Sequence, residues 1–261
     1  MDLSYCMPRL KYPLLFTLTL GVFIASPVWG ESVSSILSKL DQNYYYPQKQ
    51  GLKNISVRVK WEQLDVASGP DKFLRNPDFI YFWKMNSDDG LGSFRLAEEF
   101  DTGDRFQELL QQIRPFRESI IPLTLQQKFS DFAGQVQASS ENRLIVKLNS
   151  KTGPEISYKL LVDSKEQVIR KLRFQQTNSP ESVEGEFSYL KLDGKYAISE
   201  SRSRFEVRGQ EYFETTRYTY KKVESIWWVH RIEQILKRED QVVQNYIFML
   251  SDFHAIRSTD R

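Results

Sequence analysis

Hydrophobic and polar positions change their period several times along the chain, and each change marks an element. Val33, Ile36, Leu37, Leu40 and Tyr44 recur at helical spacing, with Ser32 or Ser34 as the N-cap and Pro47 as the stop. From Ile55 the period is two. Ile55, Val57, Val59 and Trp61 alternate with Ser56, Arg58, Lys60 and Glu62, which predicts a strand with one wet face. Phe79, Tyr81, Trp83 and Met85 repeat that alternation, while Ile80 and Phe82 make the second face apolar too. Asn86-Ser87-Asp88-Asp89-Gly90 reads as a turn, and Phe94 to Glu98 as the returning strand.

Helical spacing returns at Phe106, Leu109, Leu110 and Ile113, after Asp104 as N-cap and before Pro115 as the stop. Thr124 and Gln127 have capping-box spacing, which predicts a short second helix carrying Leu125, Phe129 and Phe132. The remainder reads as strands at 143–148, 155–163, 167–176, 184–192, 195–208, 211–223, 226–238 and 241–250. Gly153-Pro154, Asp193-Gly194 and Gly209-Gln210 mark turns between them. About eleven strands joined by short turns predict a mainly β, α+β fold: a single large antiparallel meander with helices packed on one face. No linker composition interrupts residues 31–261, so they are expected to form one domain.

Trp227, Trp228, Val229 and Ile232 lie close together, as do Tyr246, Ile247, Phe248, Met249 and Leu250. Strands apolar on both faces must be covered twice or curl around an apolar interior. Helices on one face with barrel closure on the other would satisfy them. A second reading is that part of this surface lines a cavity for a hydrophobic ligand.

Composition limits the function classes. Lys and Arg number 36 against 34 Asp and Glu, a net charge of +2, which excludes the basic footprint of a nucleic-acid binder. Seventeen Phe, 13 Tyr and 5 Trp exclude a disordered chain. Residues 1–30 read as a secretory signal peptide. Arg9 and Lys11 form the charged start, the stretch from Leu14 to Ala25 is uncharged and apolar, and Val28-Trp29-Gly30 offers cleavage after Gly30. A retained N-terminal anchor is the alternative, although the apolar run is shorter than the roughly 20 residues a spanning helix needs. Cleavage would remove Cys6, the single Cys, leaving neither a disulfide nor a thiolate metal site. The expected location is the bacterial periplasm.

Motifs for chemistry are sparse. Ser188-x-x-Lys191 and Lys151-Thr152-Gly153 imitate a penicillin-recognising serine enzyme, but their order is reversed. On a strand, residues three apart also point to opposite faces, so Lys191 could not activate Ser188. His230 and His254 are the only two His, without ligand spacing, and Asp252 with His254 reads as a surface pair. No nucleophile elbow, P-loop or dinucleotide fingerprint is present, and Glu98, Glu99, Asp101 and Asp104 form no diagnostic spacing. No catalytic residue, metal or cofactor is assigned. Arg202, Arg204 and Arg208 form either a basic stripe or a solvated strand face balanced by Glu200, Glu206 and Glu211.

The order of elements carries a resemblance. Ile36-Leu37-Ser38-Lys39-Leu40-Asp41 leads through Tyr44-Tyr45-Tyr46 to Leu52-Lys53-Asn54-Ile55-Ser56-Val57 and Trp61. Near the end, Tyr218-Thr219-Tyr220-Lys221-Lys222-Val223 precedes Ile226-Trp227-Trp228-Val229, and Leu250-Ser251-Asp252-Phe253 closes the last strand. In this pattern the chain resembles the outer-membrane lipoprotein carrier and lipoprotein-sorting (LolA/LolB-like) superfamily of bacteria. The resemblance implies an unclosed β-barrel with lid helices over a hydrophobic cavity that accepts acyl chains, and so an acyl chain or lipoprotein as partner. Size and strand phase then nominate Val59, Trp61, Tyr81, Trp83, Phe106 and Leu110 as lining residues, with the lid between 103 and 132. The alternatives are a module of the same fold with a filled core, binding an envelope protein, and an unrecognised hydrolase.

Overall fold

The computed structural model describes residues 31–65, 72–87, 90–98 and 103–258. The expected signal peptide and its cleavage site therefore lie outside the described residues. So do the side chains of Asp104 and Phe106 and part of the turn after Trp83. Glu31–Arg261 forms one compact unit.

Helix α1 (Val33–Asn43) starts where Ser32 accepts a hydrogen bond from the Ser35 amide at 3.1 Å. It ends four residues before Pro47, which instead opens a short 3₁₀ turn, Pro47–Gln50. Strand β1 (Leu52–Leu64) follows, then β2 (Phe73–Arg75), β3 (Phe79–Lys84) and β4 (Ser93–Leu96). Helix α2 (Gly103–Ile113) does not end the helical path at Pro115. That residue sits in the first turn of a 3₁₀ segment, where its missing N–H costs nothing, and the chain runs on into α3 (Arg117–Ile120). Helix α4 (Leu125–Lys128) has the expected Thr124–Gln127 capping box but is a single turn, so Phe129 caps it and Phe132 already belongs to a strand.

The remaining strands are β5 (Phe132–Ser140), β6 (Arg143–Ser150), β7 (Ser157–Asp163), β8 (Val168–Gln175), β9 (Ser182–Leu192), β10 (Lys195–Val207), β11 (Gln210–Val223), β12 (Ile226–Arg238) and β13 (Gln241–Arg257). All thirteen strands form one antiparallel sheet in the order β4-β3-β1-β13-β12-β11-β10-β9-β8-β7-β6-β5, with β2 beside the end of β1. The strands from β6 to β13 are the expected meander, and β5, which the sequence reading did not foresee, adds an edge to it. The N-terminal strands do not extend it from β5: β1 pairs with β13, from Leu52↔Arg257 to Gln63↔Tyr246. Among the described residues the outer edges of β4 and β5 have no further strand beside them, so the sheet is an unclosed barrel.

Tight turns hold the meander. Asp193-Gly194, Arg208-Gly209 and Glu224-Ser225 each have two consecutive residues at positive φ, the conformation that matches the twist of a two-residue hairpin. The last of these does so without glycine. A bulge at Asp252 (φ 51°) re-aims the end of β13, which therefore continues seven residues past Leu250.

Two apolar clusters occupy the inner face. Beneath α2 and α3, Leu52, Ile55, Val57, Val59 and Trp61 of β1 pack with residues of β3, β12 and β13. Beneath α1 and α4, Ile36, Leu37, Leu40 and Phe129 pack on Val146, Leu148, Leu160 and Val162. The predicted helices thus cover one face of the sheet, each over its own cluster.

Candidate functional site

The two helical covers are attached by different physics. Asp41 of α1, 3% exposed, accepts hydrogen bonds from the Tyr46 hydroxyl (2.6 Å) and from the Leu125 and Gln126 amides (2.7 and 3.0 Å). It thereby satisfies the first two free amides of α4 from a distant helix. Asn43 donates to the Glu166 and Gln167 carbonyls at 2.8 and 3.0 Å. The Tyr44 hydroxyl accepts from the Ile169 amide at 2.7 Å and meets Tyr189, and burial pushes its phenol up to about 12. The Tyr45 hydroxyl accepts from the Trp227 amide at 2.7 Å. Tyr44 and Tyr45 therefore pin the end of α1 to two different strands, while Tyr46 folds back onto Asp41 of α1 itself.

The α2–α3 cover is seated mainly by hydrocarbon. Leu109, Ile113, Phe116, Ile120 and Ile121 are buried against the sheet, and the Phe116 ring lies 4.3 Å from that of Phe248. Its described polar ties are few. Arg117 donates to the Gly92 carbonyl at 3.0 Å, Lys128 pairs with Glu118 at 2.6 Å, and Ser119 contacts the Tyr218 hydroxyl. Apolar contact is non-directional, so such a cover can shift on the sheet without orphaning a ladder of hydrogen bonds.

At the edge of this cover lies a cleft of about 990 Å³. Ile55, Trp83, Phe253 and Ala255 supply its apolar wall, while Arg117, Glu224 and Lys84 are among its polar groups. Of the six nominated residues, Trp83 lines this cleft. Val59, Trp61 and Tyr81 are at most 1% exposed and lie in the cluster directly beneath the cover. Leu110 is half-buried on the cover itself, and nothing is described of the Phe106 side chain. Tyr81 and Trp83 also donate to the Leu91 and Gly90 carbonyls at 2.7 and 2.8 Å, holding the β3–β4 connection at the mouth.

Trp61 is the centre of an aromatic nest. Its ring lies 5.3 Å from Tyr246, 5.6 Å from Phe248 and 6.3 Å from Phe79. The Trp61 indole N–H is buried there without a hydrogen-bond partner among the described residues. A buried orphan donor costs about 1–3 kcal/mol, which is a reason to look for an occupant.

Between the two clusters lie a third, smaller apolar group of Tyr45, Leu192 and Ala197 and a polar patch. Glu214 and Tyr218 of β11 lie in that patch with Gln234 of β12 and Gln244 of β13, and the Gln244 amide donates to Gln234 at 3.4 Å. Burial raises the Glu214 carboxyl, and a hydrogen bond from Gln234 only partly offsets that. The folded state thus binds the Glu214 proton more tightly than the unfolded chain does. Stability is therefore lost as pH rises from the ordinary carboxylate range through the raised value. Glu214→Gln is expected to raise the urea midpoint at pH 7 and leave it unchanged near pH 4; an equal shift at both would mean that ionisation is irrelevant.

The outer face answers the question posed by the arginine stripe. Arg204 pairs with Glu184 (3.0 Å) and Glu211 (3.6 Å), and Arg202 and Arg217 share Glu200 at 2.7 and 2.8 Å. Arg208 occupies a turn. This is a solvated ion ladder. Asp252 pairs with Arg58 at 3.3 Å rather than with His254, and the Lys191 ammonium rests over the Tyr196 ring. Among the described residues no group of three His, Cys, Asp or Glu is placed to hold a metal, and no helix is long and apolar enough to cross a membrane.

No family model and no curated protein matches the sequence. Among solved structures, the chain is similar to a LolA superfamily protein from Nitrosomonas europaea, with 10% identity over 88% of this chain and 96% of that one and a TM-score of 0.34. It is similar also to a DUF1329 family protein from Desulfovibrio piger (10% identity, 89% and 95% covered, TM-score 0.39). A third is an outer membrane lipoprotein-sorting protein domain from Vibrio parahaemolyticus (7% identity, 87% and 92% covered, TM-score 0.31).

Proposed function

We propose that the chain is an exported, non-enzymatic carrier-type module that binds an acyl chain between the α2–α3 cover and the inner face of the sheet. The observation that carries this reading is the hydrocarbon seat of that cover beside a cleft with Ile55, Trp83, Phe253 and Ala255 along one wall. A chain entering past Trp83 would replace contacts of Leu110, Ile113 and Phe116 with contacts of its own kind, so lifting the cover and filling the space nearly cancel. Val59, Trp61 and Tyr81 would then form the floor and Phe106 and Leu110 the roof. About twelve buried CH₂ groups would contribute roughly 10 kcal/mol before ordering costs, enough for reversible micromolar binding.

The test begins with chain expressed at full length and recovered from the periplasm, its N-terminus expected at Glu31. A fluorescent fatty acid should bind it at micromolar concentration, and Leu110→Asp should weaken binding about tenfold or more at unchanged circular dichroism, because the carboxylate would lie against hydrocarbon. Failure of the folded wild type to bind would leave the second reading. That reading, an envelope-protein interaction module, is favoured by the close packing of Trp61, Phe79, Phe116 and Phe248, which fills the nest with side chains.

A further inference from the structure

The two ends of the sheet treat their edges differently. Exposed edges are ordinarily blunted by charge, proline, shortness or a cover. Strand β4 follows that rule: it has four residues, Arg95 among them, and α2 packs beside it. Strand β5 does not. Its nine residues, Phe132-Ala133-Gly134-Gln135-Val136-Gln137-Ala138-Ser139-Ser140, include no charge and no proline, and all but Phe132 and Val136 are exposed.

The register shows which of its backbone groups are free. The Lys151 amide donates to the Asp131 carbonyl at 2.9 Å, so Ala133, Gln135 and Gln137 exchange bonds with Asn149, Lys147 and Ile145 of β6. The Ser150 amide donates to the Ile156 carbonyl at 2.9 Å, which turns the alternate residues of β6 toward β7 and agrees with that phase. Gly134, Val136 and Ala138 therefore aim N–H and C=O outward, and no strand meets them among the described residues. Around Val136 the sequence is nearly a palindrome: Gln135 mirrors Gln137, and Gly134 mirrors Ala138.

We propose that β5 is the interface of a two-fold dimer, in which two copies of the chain pair their β5 strands antiparallel about Val136 and join two sheets into one. This pairing needs no acyl ligand. It sets Val136 opposite Val136 of the second copy and Gly134 opposite Ala138, so the free groups of all three residues bond across the axis, about two bonds per facing pair. On the outer face Gln135 meets Gln137 of the second copy, two side-chain amides that can bond each other. On the inner face the small Gly134 and Ala138 let the backbones approach. Charge fits as well. Asp131 and Lys151 flank one end of β5 and Glu141 and Arg143 the other, so an antiparallel partner brings an acid and a base to an acid and a base at both ends. The break in the β5–β6 register between Ala138 and Ser140 limits the paired stretch to the residues before it.

Sedimentation velocity and amide exchange on the purified chain test this. A short strand-to-strand seam should give a species of twice the chain mass at about 100 μM. With rising concentration, exchange should slow at the Gly134, Val136 and Ala138 amides, while Gln135 and Gln137, already bonded to β6, stay unchanged. Gln135→Lys/Gln137→Lys puts like charges opposite each other twice and should weaken association about tenfold or more. Gln135→Glu/Gln137→Lys puts opposite charges there and should associate at least as well as the wild type. Both pairs of substitutions lie at exposed positions, and circular dichroism checks their folding; the exchange result needs no variant. A chain monomeric at about 1 mM overturns the dimer and leaves the edge to a different partner. A dimer whose three outward amides exchange as fast as in the monomer, or equal weakening by both double variants, overturns the β5 pairing.

Discussion

Asp41→Ala should lower the stability of the folded chain by about 3–5 kcal/mol, among the largest effects of any single substitution here. One carboxylate, 3% exposed, holds three donors from two directions: the Tyr46 hydroxyl and the Leu125 and Gln126 amides. Removing it leaves all three buried or half-buried donors without an acceptor and strips α4 of its distant cap. Asp41→Asn should recover only part of the loss, because an amide presents one oxygen and turns a donor toward other donors. Urea denaturation followed by tryptophan fluorescence measures both. A midpoint unchanged in Asp41→Ala would mean that α1 and α4 are joined by their hydrocarbon contacts alone.

Gly92→Ala should cost about 2–4 kcal/mol and should also disturb the cleft. At φ 73° this residue occupies left-handed space, and a Cβ there would stand 2.3 Å from the Phe82 carbonyl oxygen and 2.8 Å from the Tyr81 hydroxyl. The Phe82 carbonyl belongs to the sheet and cannot move away without breaking the β3–β4 ladder. Arg117 also leans on the Gly92 carbonyl, so displacement of the loop would loosen the α3 end of the cover. Thermal denaturation checks the first consequence, and hydrogen exchange at the α2–α3 amides the second. Protection unchanged in the variant would mean that the Arg117 contact is incidental.

Local signals in the sequence were strong where a hairpin closes on itself. Asp193-Gly194 and the glycine at 209 announced their turns because left-handed backbone favours glycine and aspartate, and the strands from β6 to β12 follow at nearly their expected limits. The Thr124–Gln127 box was equally plain. Strand β5 was not, because an edge strand with one covered face needs few apolar residues, and only Phe132 and Val136 pack inward on the second cluster. Three-residue β2 is too short to show a period. The β1–β13 pairing leaves no local trace at all, since both strands carry the same alternation and nothing names the partner. At the candidate site, period two placed Val59, Trp61, Tyr81 and Trp83 on the inward face. The long-range bonds of Asp41, Tyr44 and Tyr45 had no visible signal, because a hydrogen bond between residues more than 80 positions apart depends on the assembled sheet.

The β1–β13 pairing has a consequence for the order in which the chain can become a structure. Leu52 is made early and its partner Arg257 late, so the ladder that seats Trp61 beside Phe248 closes a loop of nearly the whole domain. The meander from β5 onward can zip hairpin by hairpin as it emerges, since each strand finds its neighbour across a short turn. The first half cannot. Until the final strand arrives, Val57, Val59, Trp61, Phe79 and Tyr81 have only one another and α2 to cover them. If the chain is exported N-terminus first, as proposed, it spends its whole passage with its most aromatic surface unclosed. Its yield depends on whatever shields that surface during the wait, more than on the stability of the finished sheet.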